Sequence, residues 1–300
     1  MTNTKAKILI GLVLTLTVGC SHIQKRQTKV EELGLATLDG TQSYALEASN
    51  INQTFRICVA LPMQPVEKGK LLPVVYVLDG DGMFGTAELA SKVLQLGRDV
   101  PQMIVVGVGY YFEGLDGWDK QIRIGDARMR DLTPSHDPAF PIGGGAGPFL
   151  DFLNSEVKPF IESRYPVDTS DQTIVGHSLS ALFVLHTLLH SPESFHRYVA
   201  GSPSLWWNQS EMLKEVGTSA ERISAKAVYV SIGGLEGDAE PYRSQSNFET
   251  FSTWLQGHAS PDLNLTVDIL ADETHVSAQS RTIVRGLRKV FSSPDSTSRR

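Results

Sequence analysis

Short, continuously apolar runs recur along this chain, each ending in a turn of small or acidic residues. Leu72-Pro-Val-Val-Tyr-Val-Leu78 runs into Asp79-Gly-Asp-Gly82, and Met83 to Leu96 then has helical spacing. Gln102-Met-Ile-Val-Val-Gly-Val108, Gln172-Thr-Ile-Val175, Tyr198-Val-Ala200 and Ala227-Val-Tyr-Val-Ser-Ile232 follow the same plan. A strand without a polar face has nothing to offer water, so it must be covered on both sides. Such strands alternating with helices predict an α/β fold, a mostly parallel central sheet with helices on both faces. Ligands in sheets of this kind bind beyond the carboxyl ends of the strands. The loops after the runs are therefore where chemistry is expected.

The remaining segments fit around that sheet. Residues 43–48 and 53–62 read as a hairpin ahead of it, residues 263–270 as a last strand and residues 281–291 as a closing helix. Residues 109–147 read as one long irregular loop rich in Gly and Pro, a length that usually signals function. Helical spacing resumes at Phe149, with a kink expected at Pro159.

Composition narrows the classes. A charged fraction of 20% and a hydrophobic fraction of 41% suit a packed domain and exclude a disordered chain. The net charge is −6 with no long basic block, which argues against nucleic acid as a partner. Two cysteines in 300 residues exclude a disulfide scaffold and a Cys-rich zinc site. No metal or organic cofactor is implied.

The first cysteine belongs to a leader. Lys5 and Lys7 precede the apolar run Ile8 to Val18, which is shorter than a bilayer span needs. Gly19-Cys20 ends it as a bacterial lipobox does, although Thr17 stands where Leu is usual. Residues 1–20 are expected to be a lipoprotein-type signal with lipidation at Cys20; the alternative is an ordinary cleaved signal that happens to contain a cysteine. Residues 21–35 then form a tether, 36–293 the folded domain and 294–300 a polar tail. Lipidation would hold the chain firmly to a membrane. By analogy with bacterial lipoproteins, Ser21 rather than Asp after the cysteine resembles outer-membrane sorting, and a lipid-anchored outer-membrane protein of the cell envelope facing the periplasm is the expectation. Cys58 sits in a strand-like segment and reads as a small buried hydrophobe.

Gly176-His-Ser-Leu-Ser180 is the strongest local signal, lying between a buried strand and an apolar helix. A G-x-S-x-G elbow of this kind exposes a serine Oγ on a strained strand-to-helix turn, and its partners follow in the order acid, then histidine. Ser180 replaces the last glycine. His177 is adjacent to the serine, so its side chain diverges and it reads as a packing residue. Of eight histidines, His275 alone follows the last strand, where a base for Ser178 belongs. Glu236 and Asp238 follow the preceding strand and either could orient the imidazole, with Glu236 preferred. An oxyanion hole needs two backbone donors: the Leu179 N–H, and that of Asp81 or Gly82. Gly143 to Gly147 could suggest a phosphate loop, but no Gly-Lys-Ser/Thr follows, and a flexible loop is the simpler reading.

Tyr76-Val-Leu-Asp-Gly-Asp81, Arg130-Asp-Leu-Thr-Pro134, Gly143-Gly-Gly-Ala146, Gly176-His-Ser-Leu179, Gly201-Ser-Pro-Ser-Leu-Trp-Trp207, His275-Val-Ser277 and Gly286-Leu-Arg288 together resemble the putative-esterase family of α/β-hydrolases, from about residue 40 to residue 292. The branch most similar is that of the trilactone siderophore esterases, the ferri-bacillibactin and periplasmic enterobactin hydrolases. The resemblance implies an α/β-hydrolase fold, Ser178 as nucleophile, His275 as base and an acid near Glu236. It also implies a small-molecule carboxylic ester as substrate, a catecholate siderophore trilactone in this branch and feruloyl or acetyl carbohydrate esters in wider relatives. Trp206 and Trp207 could wall a planar acyl group. Arg123, Arg128 and Arg130 could meet an anionic complex; the equal alternative makes the tryptophans core residues and Arg130-Asp131 a structural ion pair. The different-class alternative is an envelope lipoprotein that binds its ligand without turning it over.

Overall fold

The structure, a computed structural model, describes residues 37–218, 223, 225–239 and 241–292. The expected signal at 1–20 with Cys20, the tether at 21–35 and the tail at 294–300 lie outside them. The compact unit that carries the sheet begins at Leu38.

Its strands are β1 (Thr41–Glu47), β2 (Thr54–Ala60), β3 (Leu72–Leu78), β4 (Ile104–Tyr110), β5 (Val167–His177), β6 (Arg197–Gly201), β7 (Ala227–Gly233) and β8 (Asn264–Leu270). They form one sheet in the order β1-β2-β4-β3-β5-β6-β7-β8. The hairpin β1–β2 pairs antiparallel onto β4, and every later pairing is parallel. The helices are α1 (Gly80–Leu96), α2 (Gly117–Asp131), α3 (Ala146–Phe152), α4 (Lys158–Glu162), α5 (Leu179–His190), α6 (Trp207–Val216), α7 (Ser244–His258) and α8 (Ala278–Phe291).

Alternate residues of each strand feed two cores, because successive side chains point to opposite faces. Val75, Val77, Val105, Val175 and Val199 pack with Met83 and Phe84 of α1 and Leu287 of α8. Val74, Tyr76, Val106, Ile174 and Val230 pack against α5 and the helices beside it. Both faces are covered, and this is the α/β-hydrolase arrangement expected from the apolar runs.

Two segments depart from the sequence reading. The stretch 109–147 is not wholly irregular, since α2 crosses it. Only Ile124, Ala127 and Asp131 of that helix are buried, so its apolar stripe is too thin to stand out among charged residues. Around Pro159 the chain does not simply kink. Pro159 has no N–H for the previous turn, and the helix widens to a π turn over Leu153–Val157 just before it. No helix among the described residues is long and apolar enough to cross a membrane.

Candidate active site

The parallel strands deliver their loops to one edge of the sheet, and β5 ends there in Ser178. Its backbone is held at φ 62°, ψ −121°, a conformation that costs a non-glycine residue energy and persists only when its surroundings impose it. They do so here. The Ser178 N–H donates to the Gly201 carbonyl at 2.9 Å, and the Ser178 carbonyl accepts N–H groups from Leu182 and Ser204 at 3.0 and 3.2 Å. Gly176 lies so close under the first turn of α5 that a Cβ would fall 2.5 Å from the Ser180 carbonyl carbon and 2.8 Å from the Ala181 nitrogen. Ser180 replaces the motif's last glycine without strain: it is fully buried and its hydroxyl is hydrogen-bonded.

Ser178 Oγ lies 3.0 Å from His275 Nε2 and 3.3 Å from Ser204 Oγ. His275 arrives from the loop after β8, and its Nδ1 lies 2.8 Å from Glu236 Oε2, in the loop after β7. The other carboxylate oxygen accepts the Gly233 N–H at 2.9 Å and the Ser202 hydroxyl. Burial works against the Glu236 charge, but the bonds from His275, Ser202 and Gly233 outweigh it and hold the carboxyl below its usual range. An ionised Glu236 accepts the Nδ1–H, which leaves Nε2 with a lone pair facing the Ser178 hydroxyl. That relay can take the hydroxyl proton as the oxygen attacks.

Asp238 has a different occupation, accepting the Ser246 N–H at 2.8 Å in the first turn of α7. His177 is 5% exposed, and its Nε2 lies 2.7 Å from the His275 carbonyl. Burial, helped by the neighbouring His275, lowers its pKa to about 4. As a neutral ring, it donates Nε2–H to that carbonyl and steadies the histidine loop.

The oxyanion donors can be sorted by what they already bond. The Gly82 N–H donates to the Asp79 carbonyl at 2.9 Å. Among the described residues, neither the Leu179 nor the Asp81 N–H has an acceptor. Both lie in the first turn of a helix, where N–H groups lack partners and the dipole favours negative charge. The Asp81 side chain is tied down separately, by the Tyr110 N–H at 2.6 Å.

Two cavities flank Ser178. One, of about 370 Å³, includes Asp81, Gly82, Ile124 and Val276 in its lining. The other, of about 530 Å³, is walled by Trp206, Leu235, Tyr242 and Ser204. Arg128, Ser178 and His275 line both. Trp206 is therefore at the site, but Trp207 is not in either lining. The Trp207 ring N–H donates to the Ser135 carbonyl at 3.0 Å, and the ring stacks on Phe140. Arg130 also turns elsewhere: Asp131 grips it at 2.7 and 2.8 Å, and it lines a separate cavity of about 600 Å³ with Arg123. Arg128, two positions away on α2, points about 200° round the helix, toward Ser178. Its guanidinium is bound by both oxygens of Asp79, at 2.7 and 3.0 Å. The glycine stretch is pinned rather than open, since the Gly144 N–H donates to Thr133 Oγ1 and the Gly145 N–H to the Arg130 carbonyl. Among the described residues no group of three or more His, Cys, Asp or Glu is arranged to hold a metal ion.

Ser202, Ser204 and Tyr242 are additional site residues. Ser202 and Ser204 sit inside the Ser-Pro-Ser-Leu-Trp-Trp motif, whose aromatic end draws more attention than its serines. Tyr242 carries no local pattern at all.

Residues 48–259 match the family described as Putative esterase. The ferri-bacillibactin esterase BesA of Bacillus subtilis (strain 168) is 36% identical over 194 residues, covering 60% of this chain and 63% of that protein. The siderophore triacetylfusarinine C esterase of Aspergillus fumigatus is 38% identical over 155 residues, covering 50% of each. These matches thus span less than two thirds of the relatives' own lengths. Among solved structures, the BES protein from Bacillus cereus superposes with a TM-score of 0.74 at 29% identity, covering 89% of this chain and 100% of that one. The siderophore hydrolase EstB from Aspergillus nidulans gives a TM-score of 0.72 at 26% identity, with 86% and 97% covered.

Proposed function

This chain belongs to the putative-esterase family, and from that premise we propose that it is a serine esterase whose substrate is a siderophore ester. The observation that carries the reading is the continuous relay from Glu236 through His275 to the Ser178 hydroxyl, at 2.8 and 3.0 Å. Ser178 Oγ attacks the ester carbonyl carbon while His275 Nε2 takes its proton. The Leu179 and Asp81 N–H groups receive the oxyanion of the tetrahedral intermediate. Collapse breaks the bond to the alcohol oxygen, which leaves with the proton from His275. A water molecule, deprotonated by the same nitrogen, then releases the acid and restores the serine.

The substrate class rests on the relatives, named for ferri-bacillibactin and triacetylfusarinine C. It also rests on a divided site, where an aromatic wall of Trp206 and Tyr242 faces one side of Ser178 and the α2 surface the other. The leader-like residues 1–20 support a place in the cell envelope with Cys20 lipidated. Three measurements separate these readings. A fluorophosphonate should label wild-type protein at Ser178, and a folded but unlabelled protein would reject the enzyme in favour of a binding lipoprotein. Mass spectrometry should find a cyclic catecholate trilactone cleaved; intact trilactone beside rapid hydrolysis of feruloyl or acetyl sugar esters rejects the siderophore. Cys20→Ala should move the protein from the membrane fraction to the soluble one.

A further inference from the structure

Ser180 stands where the elbow motif carries glycine, and its hydroxyl has two partners. Its Oγ accepts the His177 N–H at 2.8 Å, and its proton faces two acceptors, Asp79 Oδ2 at 2.7 Å and the His177 carbonyl at 2.8 Å, the shorter contact being to the charged carboxylate. Asp79 begins the facing loop. Its backbone is left-handed at φ 52°, ψ 41°, and its carbonyl accepts the N–H groups of Gly82 and Met83 at the start of α1. From the other side Arg128 holds the same carboxylate with two bonds. Among the described residues, the Ser180–Asp79 bond is the one hydrogen bond joining segment 177–180 to segment 79–82.

The two N–H groups without acceptors flank that bond along the chain. Leu179 immediately precedes Ser180, and Asp81 lies two residues after Asp79. Resting on the serine-esterase reading above, we propose that Ser180 is a positioning residue: through Asp79 it sets the spacing of the two oxyanion donors and anchors Arg128 between the two cavities. A glycine there would let the elbow close equally well, yet would leave the two loops untied. The donors matter only once charge appears on the carbonyl oxygen, and hydrogen bonds weaken steeply as their geometry drifts. The link should therefore act on the chemical step and leave ground-state binding almost unchanged.

The test is steady-state hydrolysis of p-nitrophenyl acetate by the full chain and its Ser180→Ala and Ser180→Gly variants, with near-UV circular dichroism to verify folding. Each variant should lose about tenfold in kcat with KM within about threefold, since removing one oxyanion donor outright costs more than misplacing it. The inhibition constant of phenylboronic acid, which mimics the tetrahedral state, should rise by a similar factor. In an Asp79→Ala background, Ser180→Ala should add little, because the link is already broken. Three results would overturn the proposal: unchanged kcat with only a lower melting temperature, a change confined to KM, or full additivity with Asp79→Ala. If Ser180→Ala does not fold, Ser180→Gly, which removes the hydroxyl without adding bulk, decides alone. Failure of the underlying reading is visible separately, as absence of fluorophosphonate labelling in the wild-type protein before any variant is made.

Discussion

Glu236 and Asp238 are two residues apart in one loop, and their surroundings give them different work. Glu236 accepts from His275, Ser202 and Gly233, whereas Asp238 accepts from Ser246 at the start of α7. Ser178→Ala and His275→Ala should each lower kcat on p-nitrophenyl acetate by about 10⁴-fold or more, and the double variant hardly further, because such residues act as a unit. Glu236→Ala should cost about 10²-fold or more, as the imidazole loses its orientation and its counter-charge. Asp238→Ala should stay within about threefold. Equal losses for the two carboxylates would contradict the geometry. The order serine, acid, histidine was readable because each residue follows a recognisable strand, and strand ends meet at one edge of a parallel sheet. For Trp207 and Arg130 the sequence offers two readings, substrate wall or core residue and ligand cation or ion pair with Asp131, and the structure takes the second of each. Adjacent tryptophans diverge, and whether Arg128 or Arg130 faces Ser178 depends on the rotation of α2, which the thin apolar stripe of that helix does not reveal.

The elements legible from sequence are those whose burial is complete. β3, β4 and β7 have nearly every side chain covered, so a continuous apolar run marks them without ambiguity. α2 escaped because a helix bordering the cavities keeps most of its surface polar. α8 shows how tightly the covered elements are fitted. It lies over β6 and β7 with Gly286 at the contact, where an added Cβ would fall 2.5 Å from Val199 Cγ1 and 3.2 Å from Tyr229 Cδ1. Gly286→Ala brings the better helix former, but it must force Val199 off its packing position. The net cost should be about 1–3 kcal/mol. That corresponds to a melting temperature lower by roughly 2–6 °C for a domain of this size, read by calorimetry. His275 lies just ahead of this helix, so the fit of α8 also sets where the histidine loop ends. A variant that melts at or above the wild-type temperature would mean that the helix slides to accommodate the methyl group.

At the scale of the whole molecule, buried histidines set the acid limit. His177 and His186 both have pKa values lowered to about 4 by burial, with a second histidine ring nearby adding to the effect in each case. In the unfolded chain both titrate near pH 6.5. Between these values the unfolded state binds more protons, so stability must fall as the pH drops from about 6.5 to about 4 and level off below that. A tenfold change in proton affinity is worth about 1.4 kcal/mol, so the pair accounts for several kcal/mol even with the His186 share discounted for its partial exposure. Glu236, held low, extends the loss as the pH falls toward its own titration. Asp131, raised by burial despite Arg130, acts in the opposite sense just above the ordinary carboxylate range and softens the slope there. Urea unfolding at pH 7, 6, 5 and 4 should show this decline, and His186→Gln should flatten it without changing turnover at pH 7. His177 cannot be relieved so cheaply, because its ring bonds the carbonyl of His275 inside the elbow. Protonating it places a charge beside the very loop that carries the base, so acid should open the molecule from the active site outward. Hydrogen exchange at pH 5 tests that order: amides of residues 272–277 should lose protection before those of β3 and β4, and simultaneous loss would indicate a single global transition instead.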